Sequence, residues 1–404
     1  MIGKSAALAA LLLVSKAPDY PTDLVVHEWG TFTTIAASDG TLLNGLYLDE
    51  EPLPGFVNQM WPHYTEKKVS KNYGKGIYFQ PVHVNVKMET PVIYFYSPRS
   101  LPVSVRVDFP RGLISQWYPQ CTTLKSAEPQ QQGDVYAVDF ATPVNGFMEW
   151  QARVLAPDAP QKPTAETPSL VWNAPRLTDA NLLAVTSAGK EQIEKFIFYR
   201  GVANFAPPIT AKFTGASTNT TASTNTIEIT NTGKEDLPFV FVYEKPDQGD
   251  AKVYWQGGIP KGQNHLVDRK PGQSKLNQSE PSQKMTFTTF EKALVDAGLY
   301  PREARAMLNT WKTSYFGRPG IRIFWIAPQS WVNSILPLKI TPQPKETHRV
   351  FVGRYELLSP GFESALLRNW QENHGRLSPT TKAANDRYHL AYQDLLQHMN
   401  HARS

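Results

Sequence analysis

A two-residue rhythm constrains this chain more than any other feature. Val103, Val105, Val107 and Phe109 alternate with Ser104, Arg106 and Asp108, and Val82, Val84, Val86 and Met88 alternate with His83, Asn85, Lys87 and Glu89. Successive side chains of a strand point to opposite faces, so this period builds half-buried antiparallel strands and cannot form the apolar stripe of a helix. Runs rich in β-branched and aromatic residues recur at 24–34, 135–140 and 148–155, and 33 Pro and 25 Gly supply the turns between such runs. The expected fold class is mainly β, α+β overall, with antiparallel sheets and β-sandwich modules.

The pattern divides the chain into five stretches. Residues 1–17 read as an export signal, with Lys4 before an apolar run and small residues Ser15 and Ala17 at cleavage-like spacing. About nine apolar residues are too few to cross a bilayer, and no later run is longer, so no transmembrane span is expected in the mature chain. Residues 18–205 form a β-rich domain in which 80–88 is one alternating strand, Pro91 interrupts before a second run at 92–96, 157–168 is a loop, and 177–188 and 190–196 are weakly helical. Residues 206–275 resemble a small sandwich module with strands at 209–213, 227–230, 239–243 and 252–255. Its near-repeat at 216–226 reads as a solvated hairpin loop and 261–283 as a linker.

Residues 276–358 open with an αα-hairpin. Thr288 and Glu291 stand at capping-box spacing, Gly298 stops the first helix and Pro301 opens the second. Closing strands follow at 321–327, 336–341 and 349–356, and residues 359–404 carry two C-terminal helices.

Composition removes several function classes. The formal net charge of +5 comes from 41 basic and 36 acidic residues scattered along the chain, so no nucleic-acid footprint is expected. A single cysteine, Cys121, rules out an intramolecular disulfide and a cysteine-based metal knuckle, and its neighbours Gln120, Thr122 and Thr123 offer no cation to activate it. The motifs HExxH, GxSxG and GxGxxG are absent, and Gly3-Lys4-Ser5 lacks the upstream glycine of a phosphate loop.

Four residues remain as candidates for chemistry. Glu28 and Glu89 are the candidate catalytic carboxylates, and His27 and His83 the candidate metal ligands, because imidazole and carboxylate are what a divalent metal or a hydrolytic water needs without cysteine. Adjacent strand residues face opposite ways, so His27 and Glu28 would have to find separate partners on neighbouring strands. The competing reading is structural: these groups satisfy buried polar atoms or pair with arginines such as Arg106 and Arg200. Glu28, Glu89, Asp108 and Glu149 also supply the carboxylates a glycosidase requires. The ten Trp and 17 Tyr would suit sugar stacking, but Trp117, Trp150 and Trp325 lie in apolar runs that favour core filling. His374, His389, His398 and His401 gather near the end and read as a polar tail, although His398 and His401 share one helix face.

The segments VHEWGTFT at 26–33, METPVIYFYS at 88–97, GLISQWYP at 112–119, EKFIFYRG at 194–201, EARAMLNTW at 303–311 and RVFVGRYELLSP at 349–360 carry a resemblance. Together they make the chain similar to an uncharacterised family of exported bacterial proteins. The resemblance implies export and one evolutionary unit from about residue 24 to 360, and it brings no activity, cofactor or catalytic residue. The leading expectation is an extracytoplasmic protein of the cell envelope, or a secreted one, that binds a glycan or an envelope protein partner and requires no cofactor. The alternative is a metal-dependent or carboxylate-based hydrolase centred on His27, Glu28 and Glu89, and a divalent metal belongs to that alternative. A third reading is a structural subunit of an envelope assembly.

Overall fold

The computed structural model describes residues 23–48, 52–60, 78–127, 130–132, 135–187, 189–214, 225–269 and 282–401. The 1–17 segment and most of the 216–226 near-repeat lie outside them. Among the described residues strands account for 42% and helices for 20%, so the fold is mainly β, with several antiparallel sheets and six helices. Among the described residues no helix is long and apolar enough to cross a membrane.

A nine-stranded sheet organises the molecule. Its strands run, edge to edge, Lys252–Ile259, Leu237–Lys245, Gly320–Ile326, Glu346–Leu357, Val25–Ala36, Val86–Tyr96, Ile197–Ala203, Gly112–Tyr118 and Asn58–Gln59. All neighbours are antiparallel except one pair: Val25–Ala36 runs parallel to Glu346–Leu357, with His27 opposite His348 and Thr33 opposite Arg354. Eleven of the twelve residues in Val25–Ala36 are buried, because both faces of the sheet are covered at its centre.

A second sheet of six strands covers one face. It includes Leu101–Phe109 and Gly146–Val154, whose Val103, Val105, Val107, Phe109, Met148 and Trp150 meet Val26, Phe32, Ile93 and Phe351 of the central sheet in one apolar core. That contact makes a sandwich. A three-stranded sheet of Ile209–Thr214, Thr226–Asn231 and Asn264–Asp268 extends the same core through Ile209, Ile227 and Val267.

Helices cover the opposite face in two groups. The hairpin Ser282–Asp296 and Pro301–Trp311 packs Phe290, Leu294, Met307 and Trp311 against Trp29, Val92, Phe324 and Val350. Helices Pro360–Glu372 and His389–His401 bring Leu366, Ala391 and Leu395 onto Ile35, Leu113 and Val202. The apolar stripe of each helix is buried against the sheet, which stabilises helices too short to persist alone.

Several local expectations are corrected by pairing that a local pattern cannot encode. The alternating stretch 80–88 is broken at His83, whose left-handed backbone (φ 56°) separates Tyr78–Val82 from Val86–Tyr96. The first piece pairs with Val135–Asp139 in a small sheet and the second enters the central one. Pro91 does not interrupt its strand: Thr90 (φ 52°) absorbs the irregularity as a bulge, and the register to the neighbouring strand shifts between Trp29 and Thr31. Residues read as weakly helical form an antiparallel hairpin, Leu183–Ser187 with Lys190–Glu194.

Strands from either side of positions 206 and 276 share the central sheet. Leu237–Lys245 and Lys252–Ile259 leave the expected small module to join the central sheet, and the stretch read as a linker contributes the strand Asn264–Asp268. A helix, Gln329–Ile335, precedes the strand Leu338–Thr341 and has no counterpart in the sequence reading.

Two packing details bear on stability and reactivity. Gly353 faces Trp325 across the Glu346–Leu357 and Gly320–Ile326 strands, and a Cβ on Gly353 would come within 1.9 Å of the indole. Cys121 lies in the sandwich core, where burial pushes its thiol up to about 11. Two pH units reduce the thiolate fraction at pH 8 about 100-fold, so alkylation of the native protein should be at least about 100-fold slower than in urea. Equal labelling rates by mass spectrometry would contradict the burial of this thiol.

Candidate functional site

The four candidate residues fall into separate clusters. Glu28 and His27 point to opposite faces of Val25–Ala36, as strand geometry requires. Glu28 enters the sandwich core fully buried, where its carboxylate accepts hydrogen bonds from the Tyr199 hydroxyl and from Arg349 Nε. Arg349 in turn donates from Nη1 to Asn333 Oδ1 at 2.9 Å and to the Leu336 carbonyl at 2.7 Å. Burial, then the adjacent Glu28 charge, holds the Tyr199 hydroxyl well above its ordinary range, so it stays a donor.

His27 faces the helical hairpin. Its Nδ1 lies 2.7 Å from Glu303 Oε2, and the same carboxylate accepts from the Tyr96 hydroxyl and the Tyr300 amide, each at 2.8 Å. Glu303 is the third residue of its helix and closes a capping box there. Tyr96, Tyr300 and His348 surround the imidazole, with ring centroids at 5.4, 4.3 and 4.9 Å. Nε2 of His27 is buried and has no hydrogen-bond partner among the described residues.

Glu89 belongs to a buried charged network. Lys87 Nζ stands 3.1 Å from its Oε1, the Tyr315 hydroxyl donates to Oε2 at 2.8 Å, and Arg354 Nη1 is 3.8 Å away. Arg354 lies 4.1 Å over the Tyr315 ring and shares Glu356 Oε1 with Arg322. The cavity beside Glu89 and Arg200 holds about 20 Å³, room for a water and not for a substrate.

His83 is half-exposed and pairs with Asp139 at 2.7 Å. Burial opposes ionisation of Asp139, but the His83 contact and the Ala141 amide outweigh it and hold the carboxyl below its usual range.

The expected pairing with arginines does occur, through different residues. Arg349 serves Glu28 and Arg354 approaches Glu89, whereas Arg106 ties Asp108 at 2.6 Å and Glu149 at 2.7 Å. Arg200 reaches Gln116 Oε1 at 3.4 Å. His27, Glu28, His83 and Glu89 therefore do not converge, and among the described residues no group of three or more His, Cys, Asp or Glu is placed to hold a metal.

A site absent from the sequence reading opens where the central sheet meets the C-terminal helices. It is a cleft of about 490 Å³. Ile35, Glu356 and Leu357 form its base, and Lys245, Arg318 and Gly320 line it from the ends of neighbouring strands. Phe362, Lys382, Asp386, Arg387, Tyr388 and Tyr392 line it from the C-terminal segment. Lys382 and Asp247 bridge its exposed rim at 2.7 Å. Five separated stretches of chain supply these residues, so no motif in the sequence could have announced it.

No family model matches the chain, and no curated protein matches it. Two solved structures share limited likeness: the yeast delta-COP-I mu-homology domain complexed with a Dsl1 WxWxV peptide, and the yeast delta-COP-I mu-homology domain. Each is 8% identical and aligned over 85% of this chain and 100% of its own, with TM-scores of 0.28 and 0.26. At those TM-scores the likeness carries no argument about fold, partner or activity.

Proposed function

We propose that this is an extracytoplasmic binding protein, of the cell envelope or secreted, that takes a glycan in the cleft beneath its C-terminal helices. The observation that carries the reading is the cleft itself. At about 490 Å³ it falls in the range of small-molecule sites, and it combines an aromatic edge, Phe362 at 37% exposure, with charged donors from three chain segments. Sugars are held in this way, by a ring face against an aromatic and by hydrogen bonds to hydroxyls. Export is supported by the composition of residues 1–17 and by the resemblance of the mature segments.

The test is titration calorimetry of the purified protein against a panel of oligosaccharides. At least one should bind, and Phe362→Ala should weaken it about tenfold, a loss consistent with removing one aromatic contact. Failure of every glycan at millimolar concentration would sink the proposal.

A metal-dependent hydrolase is the second reading, and one observation favours it. Glu303 holds Nδ1 of His27 while Nε2 has no partner, the arrangement of a metal-binding histidine supported by a carboxylate. Stoichiometric zinc in purified protein, lost on His27→Ala, would favour that reading over binding alone.

A further inference from the structure

We infer that the cleft selects an acidic ligand, whose carboxylate or phosphate group sits between Lys245 and Arg318; the inference rests on the cleft being the binding site. The two cations come from adjacent strands. Lys245 is opposite Gly320 in the antiparallel register, and Arg318 lies two residues before Gly320, so both side chains arise at the same end of the sheet. Both line the cleft and both are only partly exposed.

The acids of the cleft are engaged elsewhere. Glu244 accepts from the Tyr254 hydroxyl at 2.7 Å and pairs with Arg269 at 2.9 Å. Asp247 is bound to Lys382, and Asp386 accepts from the Tyr388 amide at 2.9 Å and the Tyr392 hydroxyl at 3.3 Å. Glu356 lies under Arg322 and Arg354, with Arg387 at 3.7 Å.

Lys245 and Arg318 have no carboxylate partner among the described residues. Lys245 Nζ donates to the carbonyls of Pro246 and Gly249, at 3.1 and 2.9 Å, which leaves one of its three donors for a ligand. The Arg318 carbonyl accepts from Arg322, but the Arg318 guanidinium meets no acid among the described residues. Two cations on one concave wall, with the nearby carboxylates already paired, raise the local concentration of anions and favour a charge-assisted contact. Gly320, opposite Lys245, has a backbone (φ 141°) that suits glycine, and a Cβ there would lie 3.3 Å from Arg322 Nη2 and Glu356 Oε2.

The experiment uses full-length protein and three probes: a glucuronate-bearing disaccharide, its neutral glucose counterpart, and inorganic phosphate. Arg318→Gln and Lys245→Gln are the variants, and Arg318 is the safer of the two because its side chain makes no hydrogen bond or ion pair among the described residues, whereas Lys245 holds the carbonyls of Pro246 and Gly249. The acidic disaccharide should bind at least about tenfold more tightly than the neutral one. Arg318→Gln should erase that preference with an unchanged melting temperature, and raised salt should weaken the acidic ligand alone.

Equal affinity for both disaccharides, unaffected by Arg318→Gln, overturns the acidic selectivity and leaves the glycan cleft standing. Phosphate binding that is lost in Arg318→Gln, with neither sugar bound, supports the anion site and overturns the glycan reading. No binding of any probe overturns the inference.

Discussion

Glu28→Gln should destabilise the protein by about 3–5 kcal/mol, the range for removing one member of a buried ion pair. The substitution keeps the volume of the side chain but removes its charge, so the Arg349 guanidinium remains inside the sandwich core without the carboxylate that lies against its Nε. Arg349 cannot escape to water, since Nη1 is fixed to Asn333 and Leu336 within the same fold. Urea denaturation gives the value directly, and a loss below about 1 kcal/mol would mean that the pair is solvated. The double variant Glu28→Leu with Arg349→Met removes both charges and should recover much of the loss, because an apolar pair of similar volume avoids desolvating two ions. Recovery would mark the pair as a structural element of the core.

Gly353→Ala carries the second large effect, about 3 kcal/mol, the upper end for overpacking. The strand pairing places Trp325 directly opposite Gly353, and the indole occupies the volume in which a Cβ would stand. Trp325 is buried and has Trp331 against its ring at 5.4 Å, so it cannot simply turn aside. The backbone of Gly353 needs no left-handed conformation, and the whole cost is therefore steric. Gly353→Ala combined with Trp325→Leu should recover stability relative to Gly353→Ala alone if the clash is the cause. A single variant that melts with the wild type would contradict the packing of this tryptophan on the strand backbone.

The sequence showed strands where one face is apolar and the other wet, and failed where pairing decided the outcome. Val103, Val105, Val107 and Phe109 advertised their strand because the six-stranded sheet buries only one side of it. Residues 183–194 carry too weak an alternation to outweigh their charged positions, and only the hairpin contact makes them strands. The opposition of His27 and Glu28 followed from the backbone alone, but their partners did not. Glu303 and Arg349 lie 276 and 321 residues away, a separation no local pattern bridges. The cleft was illegible for the same reason, since Lys245, Arg318 and Arg387 have no spacing in common.

The parallel pairing of Val25–Ala36 with Glu346–Leu357 has a consequence for biogenesis. The strand Val25–Ala36 lies beside one synthesised 321 residues later, in the middle of the sheet. A growing chain therefore carries this early strand without its partner until those later residues have been synthesised, and folding through such distant contacts is slow. A chaperone that holds the early strand during that interval would act on the step most exposed to aggregation. Truncation just before residue 346 would remove a central strand and leave two unfinished half-sheets.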